Sequence, residues 1–160
     1  MGTVWPVELP VTEASWEDAY RASYPQVYRG LIAMGARPDE AEDALHDAFV
    51  RQLEGAEISS ATGWLFVVAL RRWRRRRWRD RIFRPLVGTA RATESAADVR
   101  IDLFDALRKL TRRQREVLVA RYIVGLSQEE TANALGIARG TVAATATQAA
   151  RALRARMEER

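Results

Sequence analysis

Between Arg71 and Arg81 the chain carries eight arginines, broken only by Trp73, Trp78 and Asp80. The run directly follows Trp64 to Leu70, the longest apolar stretch in the sequence at seven residues. The expected element is one helix, buried in its first half and very basic in its second. Eight guanidinium groups on about three turns repel one another, which destabilises an isolated helix, and a polyanion relieves that repulsion. Phosphate contact is the economical explanation. The arginines occupy nearly every face, leaving no wide apolar side to lie on a membrane, and seven apolar residues fall far short of the roughly 18–20 a bilayer span requires.

Charge elsewhere is segregated as well. The 160 residues carry a net +5, but residues 1–60 hold 11 acidic and 4 basic side chains (net −7), residues 61–91 hold 1 and 10 (net +9), and residues 92–160 hold 9 and 12 (net +3). Separate surfaces for a basic protein partner and for a polyanion follow from such a division, with nucleic acid the leading polyanion. Clustering of this kind exceeds what a plain preference for arginine explains, although Lys109 is the only lysine. No cysteine is present and His46 is the only histidine, which removes disulfide frameworks, thiol nucleophiles, Cys/His zinc sites and histidine-based triads. The expectation is a protein without metal, cofactor or catalysis of its own. Absence of a basic-then-apolar N-terminal signal points to the cytoplasm.

Helical spacing recurs along the chain, and strand alternation does not, so the expected class is all-α. Residues 1–15 form an N-terminal arm with two prolines and no period. Apolar positions from Trp16 to Met34 recur at three and four, with Pro25 placed to start or kink a second segment. Pro38 opens the next helix, whose core stripe is Ala41, Ala44, Leu45, Ala48, Phe49 and Leu53, with Asp39, Asp43, His46, Asp47 and Glu54 off it. Gly55 ends that helix, residues 55–63 form a loop, and Thr62 is the expected N-cap of the arginine-rich helix. Residues 84–100 read as a linker. Two small helical domains, 16–83 and 101–160, joined by a flexible linker are therefore expected. Helices in the second lie near 101–110, 112–124, 127–135 and 139–157.

The most informative stretch is LTRRQREVLVARYIVGLSQEETANALGIARGTVAATATQAARALRARM (110–157). Ser127 and Glu130 make a capping box, Gly136 permits a left-handed turn, and Ile137 packs between two helices before Gly140-Thr141-Val142 opens the last one. This is helix-turn-helix spacing. Val142, Ala146, Ala149, Leu153 and Met157 form the expected buried stripe, which turns Ala143, Ala144, Thr145, Thr147, Gln148 and Arg151 outward. Arg112, Arg113, Arg115, Arg121 and Arg139 are available for phosphates. A helical hairpin used for protein contacts ranks second. No charged residue lies between Gly140 and Arg151, so base contacts fall to threonines, Gln148 and methyl groups.

At these residues the sequence resembles bacterial sigma factors of the extracytoplasmic-function (ECF) type, members of the sigma-70 family that keep only regions 2 and 4. The similarity covers roughly 20–83 and 101–157. AEDALHDAFVRQLE (41–54) looks like the region 2.2 helix that docks on the polymerase β′ clamp helices. ATGWLFVVALRRWRRRR (61–77) looks like regions 2.3 and 2.4, which open and read the −10 promoter element, and 110–142 with the trailing RALR looks like region 4. The resemblance implies polymerase contacts from Glu42, Asp43, His46, Asp47 and Leu53, with His46 in place of a usual Gln. It implies −10 contacts from Arg71, Arg72, Trp73, Arg74, Arg75, Arg76 and Trp78. For both tryptophans, packing is preferred over stacking on an unpaired base. It further implies −35 contacts from Gln128, Arg139, Thr141, Ala143, Ala144, Thr145, Thr147, Gln148 and Arg151.

Arg71 and Arg75 stand where the family commonly has Asn and Asp, while Ala143, Thr145, Gln148 and Ala150 stand where it often has Lys or Arg. Affinity is thus expected to lean on backbone contacts from 71–81, with weak or unusual −35 recognition. The implied partners are core RNA polymerase, through the β′ clamp helices and β flap, and promoter DNA; an anti-sigma factor is compatible with the family. The alternatives are a DNA-binding regulator that does not join polymerase, a degenerate sigma-like adaptor, and, more remotely, an RNA-binding or other interaction protein.

Overall fold

The computed structural model describes residues 13–53, 60–83 and 98–159, all α-helical or connecting turns apart from one π-helical segment. In order they form α1 (Glu13–Met34), α2 (Pro38–Leu53), α3 (Ala61–Phe83), α4 (Asp98–Arg108), α5 (Arg112–Leu118) running into the π-helical segment Val119–Val124, α6 (Gln128–Leu135) and α7 (Arg139–Glu158). The expected all-α class holds. Most of the N-terminal arm, of the 55–63 loop and of the 84–100 linker lies outside the described residues, although residues 13–15 belong to α1 rather than to the arm and residues 98–100 to α4 rather than to the linker.

Helices α1 to α3 pack around apolar stripes. Pro25 neither starts nor divides a segment: α1 runs through it, because Val27 and Leu31 beyond it are fully buried and tertiary packing offsets the one missing amide. Trp16 is the pin of this unit. Only 2% exposed, it stacks on Phe49 of α2 at 6.2 Å and meets Trp64 of α3 edge-on at 5.5 Å. Burial, with the neighbouring Tyr24 phenol, pushes Tyr20 beside it up to about 12. The cap of α3 differs from expectation. Ser60 accepts the Gly63 amide at 3.2 Å, whereas Thr62 lies inside the helix and its hydroxyl pairs with Ser23 of α1 at 2.7 Å.

In the second half Thr111 caps α5 through a capping box with Gln114. Gly125 ends the π segment with a φ of 84°, and Gly136 ends α6 with a φ of 63°, both in the left-handed region that favours glycine. The helix expected over 112–124 is present, but its last six residues are π-wound, which turns Tyr122 out to 67% exposure. Val117, Ala132 and Val142 form a small core under the helix-turn-helix.

The two halves meet. One contiguous cluster runs from Trp16, Val27, Leu31, Phe66 and Leu70 to Leu107, Leu118, Val119, Val124, Leu126 and Ala149. Two helical units are discernible, as expected, and buried residues of both join in that one cluster.

Candidate polymerase-docking and DNA-binding faces

Ala41, Ala44, Leu45, Ala48 and Gln52 bury one side of α2. Its opposite side follows at three- and four-residue spacing: Glu42, Asp43 and His46 are exposed, Asp47 half-buried, and Val50 and Leu53 are 43% and 50% exposed. Leu53 thus leaves the core stripe on which the periodicity placed it. The five residues implied for polymerase contact lie together on one stripe, acidic at its start and apolar at its end, and Val50 joins them. That addition was legible at i+4 from His46 and three before Leu53.

The α3 helix divides as expected. Leu65, Phe66, Ala69 and Leu70 are buried, whereas Arg71, Arg75, Arg76, Arg77, Arg79 and Arg81 are exposed and Arg72 is half-buried. Trp73 requires a correction as a DNA contact. It is 5% exposed, its Nε1–H donates to Glu40 Oε2 at 3.1 Å, and Arg77 covers its ring at 5.4 Å, so neither face is open to a base. Packing was expected of Trp78 also, yet it is 63% exposed with Ile82 one turn on at 49%.

Arg74 is also engaged. Its Nη2 meets Glu116 Oε1 at 2.5 Å, and burial pulls its guanidinium below the ordinary arginine value against the opposing pull of Glu116. Arg76 pairs with Asp43 Oδ2 at 2.8 Å across an exposed seam, so one implied DNA contact neutralises one implied polymerase contact.

In the helix-turn-helix, Ser127 Oγ accepts the Glu130 amide at 3.0 Å and Glu130 Oε2 accepts the Ser127 amide at 2.7 Å. Gln128 Nε2 donates to the Arg139 carbonyl at 3.0 Å, bridging α6 to α7. Val142 and Ala149 are fully buried, whereas Met157, expected in the same stripe, is 46% exposed because α7 extends past its partners. Arg139, Thr141, Ala143, Ala144, Thr147, Gln148 and Arg151 are exposed and Thr145 half-buried, so the outward face is the one expected. The Thr147 hydroxyl turns back to the Ala143 carbonyl at 3.1 Å.

Four of the five arginines expected for phosphates have internal partners. Arg112 and Arg113 bind Glu116 at 2.9 and 3.2 Å. Arg115 donates to the Leu107 and Arg108 carbonyls at 2.9 and 2.8 Å, closing the end of α4, and Arg121 donates to the Leu126 carbonyl. Arg139 remains exposed. Glu116, 3% exposed and bound to three guanidiniums, is the residue that sequence reasoning passed over. Its i−4 and i−3 arginines were the available signal.

Among the described residues no helix is long and apolar enough to cross a membrane, and no group of three or more His, Asp or Glu is placed to hold a metal.

Comparison with known proteins agrees with this geometry. The model of sigma-70 region 4 matches residues 106–155. The chain is 36% identical over 123 residues to the RNA polymerase sigma-E factor of Streptomyces antibioticus, covering 75% of this chain but 61% of that relative's length. It is 31% identical over 148 residues to the ECF RNA polymerase sigma factor SigL of Mycobacterium tuberculosis, covering 83% of each. Two solved structures share the fold. One is the sigma factor RpoE with the anti-sigma factor NepR from Bartonella quintana, with a TM-score of 0.69 and 23% identity, covering 89% of this chain and 96% of that one. The other is CnrH with the cytosolic domain of CnrY, with a TM-score of 0.69 and 22% identity, covering 92% and 90%. On the relationship to SigL, which spans most of both chains, this chain belongs to the ECF RNA polymerase sigma factors.

Proposed function

We propose that the chain directs core RNA polymerase to promoters, with the polymerase supplying all chemistry. The α2 stripe docks on the basic β′ clamp helices, its carboxylates setting register and its Val50–Leu53 end supplying apolar contact. Exposed arginines of α3 hold the −10 strand backbone, and the outward face of α7 lies in the major groove at −35. Region 4 also meets the β flap, an anti-sigma factor is a partner that holds the chain in reserve, and the cytoplasm is where it acts. The observation that carries this reading is the acidic-to-apolar stripe left open on α2, because a regulator that binds DNA alone has no use for it.

The test is transcription from promoter fragments with core polymerase. Asp43→Arg/Asp47→Arg is expected to abolish specific transcripts while leaving DNA binding intact; undiminished transcription by that variant refutes the docking face. The adaptor reading is favoured by one feature, the uncharged outward face between Gly140 and Arg151. It predicts that exchanging −35 sequences changes output little compared with exchanging −10 sequences.

A further inference from the structure

The outward face of α7 limits which bases it can read. No charged residue lies between Arg139 and Arg151, and Ala143, Ala144, Thr147 and Gln148 are exposed in that interval. Thr147 adds no donor: its hydroxyl already serves the Ala143 carbonyl at 3.1 Å, which leaves the methyl as the free branch of the side chain. Gln128 of α6 is engaged in the same way, its amide nitrogen donating to the Arg139 carbonyl at 3.0 Å. Thr141 is exposed in the first turn, but a hydroxyl donates and accepts alike and selects no base. Gln148 differs from all of these. It is exposed and bonded to none of the described residues, so its carbonyl oxygen and its amide hydrogens are both open.

Recognition helices read base edges with the residues of their N-terminal turns and leave the rest to the backbone. Arg139, the first residue of α7, and Arg151, in its fourth turn, therefore fall to phosphates. The reading interval keeps one amide among methyl groups. Guanine shows two acceptors, N7 and O6, to the major groove, and an arginine satisfies both. Gln148 can satisfy only one of them, with its own oxygen set against the other, and an acceptor desolvated without a donor is costly. Cytosine shows a donor that a carboxylate would take, and this interval has no carboxylate. Adenine places an acceptor, N7, beside a donor, the N6 amino group, which an amide matches at both atoms. Thymine shows a methyl group that packs on alanine or on the methyl of threonine.

We propose that α7 reads an A·T-rich −35 element, in which Gln148 pairs with one adenine while Ala144 and Thr147 pack on the 5-methyl groups of neighbouring thymines. Ala144 stands one turn before Gln148 on the same face and Thr147 adjoins it, so the three cover successive base steps. The inference rests on the promoter reading above and gives its −35 contact a base identity.

The test uses the full chain with core polymerase and a pool of promoter fragments randomised at −35 and, separately, at −10. Selection is expected to enrich A·T pairs at −35, with adenine fixed at one position. Gln148→Ala should flatten the preference at that position by about fivefold or more, and Gln148→Glu should move it toward cytosine. Replacing the neighbouring thymines by deoxyuridine removes only the methyl groups and should weaken binding about fourfold per methyl. Enrichment of G·C pairs at −35, or an adenine preference that survives Gln148→Ala, overturns the assignment of Gln148. Equal binding of thymine and deoxyuridine fragments overturns the methyl contact. Selection at −10 with none at −35 overturns the whole inference and leaves the promoter reading standing as an adaptor. Selection at neither element overturns the promoter reading itself.

Discussion

Glu116 shows how much one side chain can decide. A carboxylate 4% exposed is costly to bury alone, and contact with three guanidiniums offsets that cost. The partners are unequal: Arg112 is 74% exposed and returns readily to water, whereas Arg74 is 26% exposed. Glu116→Ala should therefore destabilise the fold by about 2–3 kcal/mol, and Arg112→Ala by under about 1 kcal/mol. Urea unfolding of the two variants checks the order, and equal losses would remove Glu116 from its central place. In the sequence this residue is one acid among arginines. Its helical neighbours Arg112 and Arg113 could be read from spacing, but Arg74, 42 positions earlier, could not.

At the scale of elements, boundaries follow local chemistry where a cap or glycine sets them. The capping box at Ser127, the left-handed turn at Gly136 and the start of α2 at Pro38 were all legible. Thr62 misled because two hydroxyls, Ser60 and Thr62, compete for one capping role, and the choice depends on Ser23 of another helix. The π winding was invisible, since an i+5 bond leaves no periodic mark over six residues.

The α6 cap also carries a pH dependence. Burial alone would raise the Glu130 carboxyl, but hydrogen bonds from Ser127 and Ser60 outweigh it and hold it below its ordinary 4.5. A lowered folded value stabilises fully above the ordinary one and is lost as pH falls through the folded one. Urea midpoints of the native chain should therefore drop on acidification below about pH 4.5 more steeply than those of Glu130→Gln. Parallel curves would mean that the cap contributes nothing.

For the whole molecule, the continuous core predicts cooperative unfolding of both halves. All five tryptophans lie at or before Trp78, so their fluorescence reports the first half, while far-ultraviolet circular dichroism reports every helix. Coincident urea transitions by the two probes are expected, and a separate earlier transition by one probe would show that the shared core does not couple the halves. The sequence by itself determined the helical class, the division of charge, the outward face of α7 and the acidic stripe of α2, because each follows from periodicity and short-range chemistry within one helix. Tertiary structure alone decided that Trp73 is sealed by Glu40 and Arg77 while Trp78 stands in solvent, and that Arg74 serves Glu116. It also decided that Gly30 admits Val124. Those outcomes depend on which helices come into contact across tens of residues, and no local period encodes that meeting.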